Sequence, residues 1–255
     1  MISKRKSQIC ELLKGIETGD EAAVAVVNPD KYIQHNPETH EGGEGLAALF
    51  KRLSKTSPRV NVARVFEDGE YVFAHTQYDF SSSKIGFEVF RFEGYLAVEH
   101  WDNLQAKPSE PNPSGRTMID GPTEPADHDM TRDNKELVRA FVDDILVNGR
   151  MDKLAAYFDG DNYTQHNPQI ADGLSGLGAA LEEFAKQGIV MKYDRIHRVL
   201  GEGNFVLVVS EGSLADQHSS FYDLFRVADG KIAEHWDTIE TIPARELWKN
   251  ENGKF

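Results

Sequence analysis

Apolar residues recur at intervals of three and four positions in two stretches of the chain, which is the spacing of a helix with one buried face. Gly19 follows the first stretch, whose apolar residues are Ile9, Leu12, Leu13 and Ile16. Gly149 follows the second, whose apolar residues are Leu137, Val138, Phe141, Val142, Ile145 and Leu146. Each pattern predicts a helix that ends at its glycine. A short second helix is expected near 20–27 and 151–158, and a third near 44–55 and 175–187.

The rest of each half has the alternation and the β-branched and aromatic content of strands. In the first half the predicted strands are Arg59–Phe66, Glu70–Phe80, Ile85–Phe92 and Tyr95–Asn103, with turns at Asp68-Gly69 and Glu93-Gly94. The second half repeats this pattern, with turns at Glu202-Gly203 and Asp229-Gly230. Helices followed by an antiparallel meander predict an α+β fold. We expect three N-terminal helices packed on a curved antiparallel sheet, as a cone with a small-molecule pocket between the two layers.

Polar motifs recur in the same order in both halves. The segment Tyr-Ile-Gln-His-Asn-Pro at 32–37 returns as Tyr-Thr-Gln-His-Asn-Pro at 163–168, and Glu-His-Trp-Asp at 99–102 returns at 234–237. A Phe-Arg pair also recurs, at 90–91 and 225–226. The spacing between matching motifs grows slightly along the chain, as loop insertions in a shared framework produce. The sequence therefore predicts two tandem cone-shaped domains.

The segment 105–129 is rich in Pro, Gly, Ser and acidic residues and resembles a linker. However, Asn112, Gly115 and Arg116 match Asn250, Gly253 and Lys254 near the end of the chain. We therefore expect a first domain at 1–117 that includes a tail packed on that domain, a free linker at 118–129 and a second domain at 130–255.

The net charge and the composition limit the classes of partner that the protein is expected to bind. The net charge of −14 over 255 residues disfavours nucleic acid and anionic membranes. No apolar run is long enough for a membrane span, and no apolar signal-peptide core follows the basic N-terminus. The single cysteine, Cys10, is expected to be a buried small residue of the first helix. A cytoplasmic protein is the expectation.

Side chains alternate between the faces of a strand, so the motifs place acidic and imidazole groups together. Glu88 shares a face with Phe90, and His100 shares one with Asp102. In the second half the matching residues are Asp223, His235 and Asp237. A histidine next to a carboxyl group can take part in acid/base chemistry or bind a metal. It can also have a purely structural role, in which the two groups satisfy each other's hydrogen bonds inside a core. No tight metal-binding spacing, phosphate loop or Gly-x-Ser-x-Gly motif is present, so no metal or cofactor is expected.

These motifs resemble those of the SnoaL-like polyketide cyclase family, within the nuclear transport factor 2 superfamily. The resemblance extends once over each half of the chain. It implies a helical cone on a curved sheet with a deep pocket, and cyclases that use an acidic side chain without metal or organic cofactor. It also implies pairing of the two domains as an intramolecular pseudo-dimer, with further oligomerisation left open.

Two functions remain open. The first is cofactor-independent acid/base catalysis on a small, largely apolar carbonyl compound, with the catalytic candidates Asp102, His35, His100, Glu88, Asp237, His166, His235 and Asp223. The second is a non-catalytic module that binds a small ligand or another protein. The pocket is expected to include Gln34, His75, Trp101, Gln165 and Trp236. The two pockets need not be equivalent, because His75 and Gln77 are replaced by Val209 and Glu211.

Overall fold

The computed structural model describes residues 2–255, apart from the side chain of Glu21. The chain folds as two compact units. Unit 1 contains the chain up to Lys107 together with Ile242–Phe255, and unit 2 contains Pro108–Thr241. Each unit is a mixed α+β structure with one five-stranded sheet.

Unit 1 has two α-helices, α1 (Lys4–Lys14) and α2 (Gly42–Leu53). Its strands are β1 (Ile33–Gln34), β2 (Arg59–Asp68), β3 (Tyr71–Asp79), β4 (Ser83–Glu93) and β5 (Leu96–Ala106). The second predicted helix, near 20–27, is instead the 3-10 helix Glu21–Val26. Of the three helices predicted for unit 1, the first and third are thus α-helices in the described residues, and the second is a 3-10 helix.

Unit 2 has the α-helices α3 (Thr131–Phe141) and α4 (Gly173–Lys186). The apolar pattern of α3 continues through a π-helical turn at Val142–Val147, and Gly149 follows it with a positive φ. The strands are β6 (Thr164–Gln165), β7 (Met191–Glu202), β8 (Phe205–Leu214), β9 (Gln217–Ala228) and β10 (Lys231–Thr241). The short second helix expected near 151–158 is again a 3-10 helix, Met151–Ala156.

The two sheets have the same strand order, β1-β5-β4-β3-β2 and β6-β10-β9-β8-β7. The four long strands of each sheet form the predicted antiparallel meander. The fifth strand is not antiparallel: β1 runs parallel to β5, and β6 runs parallel to β10. Each of these two-residue strands ends at the glutamine that begins the Gln-His-Asn-Pro motif, and both are too short to leave a periodic signal in the sequence.

The helices of unit 1 cover one face of the sheet. Ile9, Leu12, Leu13 and Phe50 pack there against apolar residues of the strands, including Val72 and Phe90. In unit 2, Val138 and Phe141 pack in the same way against Val206, Val208 and Phe225. Burial of these apolar side chains is the main stabilising contribution to each unit.

The tail that follows β5 does not pack on its own domain. Asn112 donates from Nδ2 to the carbonyl oxygens of Gln165 and Ile170, at 2.8 and 2.9 Å, within unit 2. The C-terminal tail packs on unit 1, where Asn250 donates to the carbonyl oxygens of Asn36 and Thr39 at 2.7 and 3.0 Å. The chain thus leaves unit 1 after Lys107 and returns to it at Ile242, so the predicted boundaries at 117 and 130 differ from those of the compact units.

The segment 118–129, expected to be a free linker, is held against unit 2. Met118 is buried there, and Ala126 exchanges backbone and side-chain hydrogen bonds with Asn204. No helix within residues 2–255 has the length and apolar character needed to cross a membrane.

Candidate functional site

A cavity of about 130 Å³ lies between the helices and the sheet of unit 1. Leu12 and Leu13 line it from α1, and Leu46 and Phe50 line it from α2. The polar groups come from the sheet: Glu88, His100 and Asp102 all reach the same cavity. Its walls are thus mainly apolar and its charged groups are concentrated on one side.

Strand register brings the three polar residues together. Glu88 pairs with Asp102 across β4 and β5, and His100 is two residues before Asp102 on the same strand face. Glu88 Oε2 lies 2.7 Å from His100 Nε2, and all three residues are buried. The sequence pattern anticipated that His100 and Asp102 share a face, but the pairing of Glu88 with both depends on the register.

Gln34 determines the tautomer of His100. Its Oε1 accepts the backbone N–H of Asn36 at 2.8 Å and lies 2.9 Å from His100 Nδ1. Since an amide oxygen only accepts, Nδ1 carries a proton and donates it. One further proton is then shared between His100 Nε2 and the carboxyl group of Glu88. The pair is electrically neutral overall, whichever of the two atoms holds that proton.

Asp102 has two partners in unit 1. Asn36 donates from Nδ2 to Asp102 Oδ2 at 2.5 Å, and its own Oδ1 accepts the backbone N–H of Glu38. Asn36 therefore forms the turn expected before Pro37 and also holds a carboxylate, a second role that sequence reasoning missed. On the other oxygen, Lys254 Nζ lies 3.5 Å from Asp102 Oδ1, and both side chains are buried.

Unit 2 builds the same arrangement around a larger cavity of about 230 Å³. His235 Nε2 lies 3.0 Å from Asp223 Oδ1, and His235 Nδ1 lies 2.9 Å from Gln165 Oε1. Asn167 donates to Asp237 Oδ2 at 2.7 Å. Gln165 Oε1 also accepts two backbone N–H groups, so it determines the His235 tautomer as Gln34 does for His100.

Asp237 differs from Asp102 in its second oxygen. Asp237 Oδ1 is buried and has no hydrogen-bond partner within residues 2–255. Arg116, which matches Lys254 in sequence, bonds instead to the half-exposed Asp172 at 3.0 Å. Burial raises the pKa of Asp237 to about 6 and the charge of Asp223 adds to the rise, while His235 and the hydrogen bond from Asn167 oppose it.

The pKa values of two other triad residues, one in each unit, are also shifted. Burial raises the pKa of Glu88, against the opposing hydrogen bond and charge of His100. Burial acts to lower the pKa of His235, but the hydrogen bond to Asp223 and the charges of Asp237 and Asp223 outweigh it, so the pKa is raised. Titratable groups in a cavity whose pKa values are shifted toward neutral pH are typical of acid/base sites.

A tyrosine supports the carboxyl group in each unit, but from different strands. Tyr78 on β3 donates to Glu88 Oε1 at 2.6 Å, whereas Tyr193 on β7 approaches Asp223 at 3.2 Å. Tyr78 is paired with Val60 across the strands, and Tyr193 is paired with Gly212. Because the tyrosine has moved to the neighbouring strand, a comparison of matching positions does not reveal its shared role.

Several predicted site residues lie on the opposite face of the sheet and do not line the cavities. His35 stacks on Trp101 with ring centroids 4.7 Å apart and bonds to Glu99. His166 stacks on Trp236 at 4.6 Å. His35, a catalytic candidate together with Asp102, does not line the cavity. Successive residues of an extended chain point to opposite faces, and Gln34 and Asn36 take the cavity side.

His75 also lies on that opposite face, where it stacks on Phe87 and its Nδ1 lies 3.1 Å from Arg64 Nη1. The copy-to-copy change from His75 to Val209 therefore does not alter the cavity. Of the predicted pocket residues, Gln165 lines the cavity of unit 2. Gln34 acts on the unit 1 cavity through His100.

Each triad also has the donor composition of a cation site. The ligand atoms of Glu88, His100 and Asp102 lie within 4.8 Å of one another, and the triad of unit 2, formed by Asp223, His235 and Asp237, meets the same criterion. In both units, however, the imidazole Nε2 already bonds to a carboxylate oxygen. A cation would have to replace that hydrogen bond.

Comparison with known protein families gives a match over part of the chain. A family model described as SnoaL-like domain matches residues 138–235. Among solved structures, TsrD from Streptomyces laurentii is 18% identical, with 41% of this chain and 92% of that chain covered and a TM-score of 0.36. IdmH from Streptomyces antibioticus, a proposed polyketide cyclase, is 15% identical, with 40% and 93% covered and a TM-score of 0.36.

An LEH-like epoxide hydrolase from M. tuberculosis is 17% identical, with 40% of this chain and 82% of that chain covered and a TM-score of 0.35. No curated protein matches the chain. The residues matched by the family model, 138–235, lie inside unit 2.

Proposed function

We propose that unit 2 is a cofactor-independent acid/base catalyst that acts on a small, largely apolar carbonyl compound. The observation that carries this proposal is Asp237 Oδ1, a buried carboxyl oxygen without a partner among the described residues, in a residue that lines a cavity of about 230 Å³. A buried carboxyl group with a pKa of about 6 is near the optimum for proton transfer at neutral pH.

The supported step is removal of a proton from the carbon next to a carbonyl group. The Asp237 carboxylate takes the proton, the C–H electrons form the C=C bond of an enolate, and the negative charge moves to oxygen. Tyr163 also lines the cavity, and its hydroxyl accepts from Gln165 Nε2 at 3.0 Å. That contact leaves the Tyr163 O–H proton available to donate to the enolate oxygen.

Burial of Tyr163 raises its pKa well above the ordinary value, so the hydroxyl keeps this proton. His235 and Asp223 share a proton at the same end of the cavity, and Gln165 and Asn167 hold His235 and Asp237 in place. Apart from the triad, the lining is mainly apolar, which excludes water and suits an apolar substrate. The enolate then takes the proton back from Asp237. Alternatively, its α-carbon forms a C–C bond to a second carbonyl carbon, whose C=O π electrons move to oxygen, and this oxygen takes the proton from Asp237.

Deuterium exchange at the α-carbons of cyclohexanone in D₂O, followed by proton NMR, tests the proposal. We expect Asp237→Asn to reduce protein-dependent exchange by at least about a hundredfold, since general base catalysis contributes about 10²–10⁴-fold. The exchange rate of the natural sequence should rise with pH through about 6, because only ionised Asp237 accepts a proton. Asp102→Asn, the matched change in unit 1, serves as the control. Equal exchange by Asp237→Asn and the natural sequence would overturn the proposal.

We further propose that unit 1 is a second SnoaL-like unit with a different role. The same strand order and the same Gln-His-Asn-Pro arrangement support the kinship. Lys254 beside Asp102 favours ligand binding over proton transfer, because its ammonium group faces the carboxylate oxygen whose counterpart in Asp237 has no partner among the described residues. Loss of cyclohexanone exchange in Asp102→Asn, with exchange retained in Asp237→Asn, would reverse this assignment.

A further inference from the structure

We propose that the cavity of unit 1 binds a small amphipathic carboxylate of about one ring, with its acid group held at the cavity mouth by Arg52 and Lys84. This ligand class goes beyond the catalytic proposal for unit 2 and does not depend on it.

Two cationic side chains line the mouth of the cavity. Arg52 lies in the last turn of α2, and Lys84 lies at the start of β4 on the strand face that also carries Glu88. Neither side chain forms an ion pair or hydrogen bond with the described part of the chain. Among the described residues, the one exposed acidic residue of the cavity lining is Glu38. Two cations without a partner in the described part of the protein are notable in a chain of net charge −14.

The charges deeper in this cavity are already balanced. Glu88 and His100 share one proton and form a neutral pair, as the hydrogen bonds of Gln34 require. Asp102 faces the ammonium group of Lys254. The positive charge that remains in the cavity is therefore the one at the mouth, where an anionic group can be bound while still partly hydrated.

The matching positions in unit 2 lack this charge. Arg52 corresponds to Glu183 on α4, and Lys84 corresponds to Ser219, which occupies the same register in its sheet. Among the described residues, the lining of the unit 2 cavity contains no lysine or arginine. The two cavities thus share their inner triad but differ in charge at the entrance.

The size of the unit 1 cavity limits the rest of the ligand. Its volume of about 130 Å³ is close to the engineered 150 Å³ apolar cavity that takes up benzene. Leu13, Leu46, Leu49 and Phe90 supply an apolar lining for a ring. A molecule with one ring and a short chain ending in a carboxylate matches both the interior and the mouth.

Isothermal titration calorimetry with 3-phenylpropanoate and its uncharged analogue 3-phenylpropan-1-ol tests the proposal on the full chain. We expect the acid to bind at least about tenfold more tightly than the alcohol, because charge-assisted hydrogen bonds are the stronger ones. The preference should shrink as the salt concentration rises from about 50 to about 300 mM. Equal affinity for the two probes, or no measurable binding of the acid, would overturn the proposal.

Three variants locate the site. Arg52→Glu and Lys84→Ser introduce the residues of unit 2, and each should weaken binding of the acid by about tenfold while leaving the alcohol unchanged. Lys51→Glu makes the same charge reversal at the neighbouring exposed residue, which does not line the cavity, and should change the affinity by less than about twofold. Equal weakening by Arg52→Glu and Lys51→Glu would contradict a specific contact. Cyclohexanone exchange by unit 2 should be unaffected by all three, which separates failure of this proposal from failure of the catalytic one.

Discussion

The ammonium nitrogen of Lys254 lies 3.5 Å from Asp102 Oδ1, and both side chains are almost entirely buried. The lysine comes from the C-terminal tail, far along the chain from the strand that carries the aspartate. At the matching position of unit 2, Arg116 contacts Asp172 near the surface, and Asp237 keeps one buried oxygen without a described partner. The Glu-His-Trp-Asp motif therefore ends in an aspartate that faces a buried lysine in unit 1. In unit 2 it ends in an aspartate that has no described cationic partner.

Replacement of Lys254 should destabilise the protein strongly. Lys254→Met leaves the buried Asp102 carboxylate without its cation, and breaking a buried pair costs about 3–5 kcal/mol. Arg116→Met is the matched control in unit 2 and should cost less than about 1 kcal/mol, because its partner is half-exposed. Urea unfolding measures both free energies.

The double variant Lys254→Met/Asp102→Asn should recover much of the lost stability, since it removes the uncompensated charge together with the lysine. Equal losses in Lys254→Met and Arg116→Met would show that the buried contact has no special weight.

Asp237 should make the folded state less stable as the pH rises. Its pKa is raised in the folded state to about 6 from an ordinary value of 3.8, so the folded protein holds a proton that the unfolded chain has lost. Stability therefore falls as the pH rises between these two values, by about 3 kcal/mol in total. Asp237→Asn cannot ionise and should be more stable than the natural sequence at about pH 8, despite its loss of proton transfer.

Thermal unfolding at about pH 4 and about pH 8 checks this expectation. The advantage of Asp237→Asn should be largest at the higher pH and should shrink at the lower one, where the carboxyl group of the folded state is protonated. A stability difference that does not depend on pH would mean that Asp237 titrates normally.

Two asparagines should contribute equally to holding the Gln-His-Asn-Pro loops. Asn250 donates to the backbone carbonyl groups of Asn36 and Thr39 in unit 1. Asn112 donates to those of the matching Asn167 and Ile170 in unit 2, and also to that of Gln165. Replacement of either by alanine leaves buried carbonyl oxygens without donors and should cost about 1–3 kcal/mol. Asn162→Ala, at an exposed asparagine, is the control in urea unfolding. A large effect from only one of the two tails would show that they do not play matching roles.

Glu211 should stabilise the protein only above acidic pH. Burial acts to raise its pKa, but hydrogen bonds from His197, Arg195 and His218 outweigh this and lower the pKa to about 2. The stabilising contribution is therefore present above an ordinary value of 4.5 and is lost as the pH falls toward 2.

Glu211→Gln introduces the residue found at the matching position 77 and should cost about 1 kcal/mol at neutral pH, since the site is only partly buried. The cost should shrink as the pH falls below 4.5 and should vanish only at about pH 2, in urea unfolding at each pH. A constant cost from neutral to acidic pH would point to packing rather than charge.

The sequence predicts some of the residues of the candidate site but not all of them. Strand alternation placed His100 with Asp102, and His235 with Asp237, on one face. The side taken by His35 could not be predicted in this way, because His35 directly follows a two-residue parallel strand that gives no periodic signal. Lys254, Tyr78 and Tyr193 were missed because each reaches the triad from an element that is distant in sequence or not matched between the two copies.

The order of helices and strands and the α+β class follow from the sequence alone, because hydrophobic periodicity and turn residues are local properties. The recurrence of the motifs is likewise visible in the sequence. The pairing of the two domains with each other stays a prediction. The tertiary structure is needed to show which unit each tail packs on, which face His35 and His166 point to, and which carboxylate lies beside a buried cation. Those outcomes depend on strand register and on contacts between residues far apart in the chain, which local patterns do not encode.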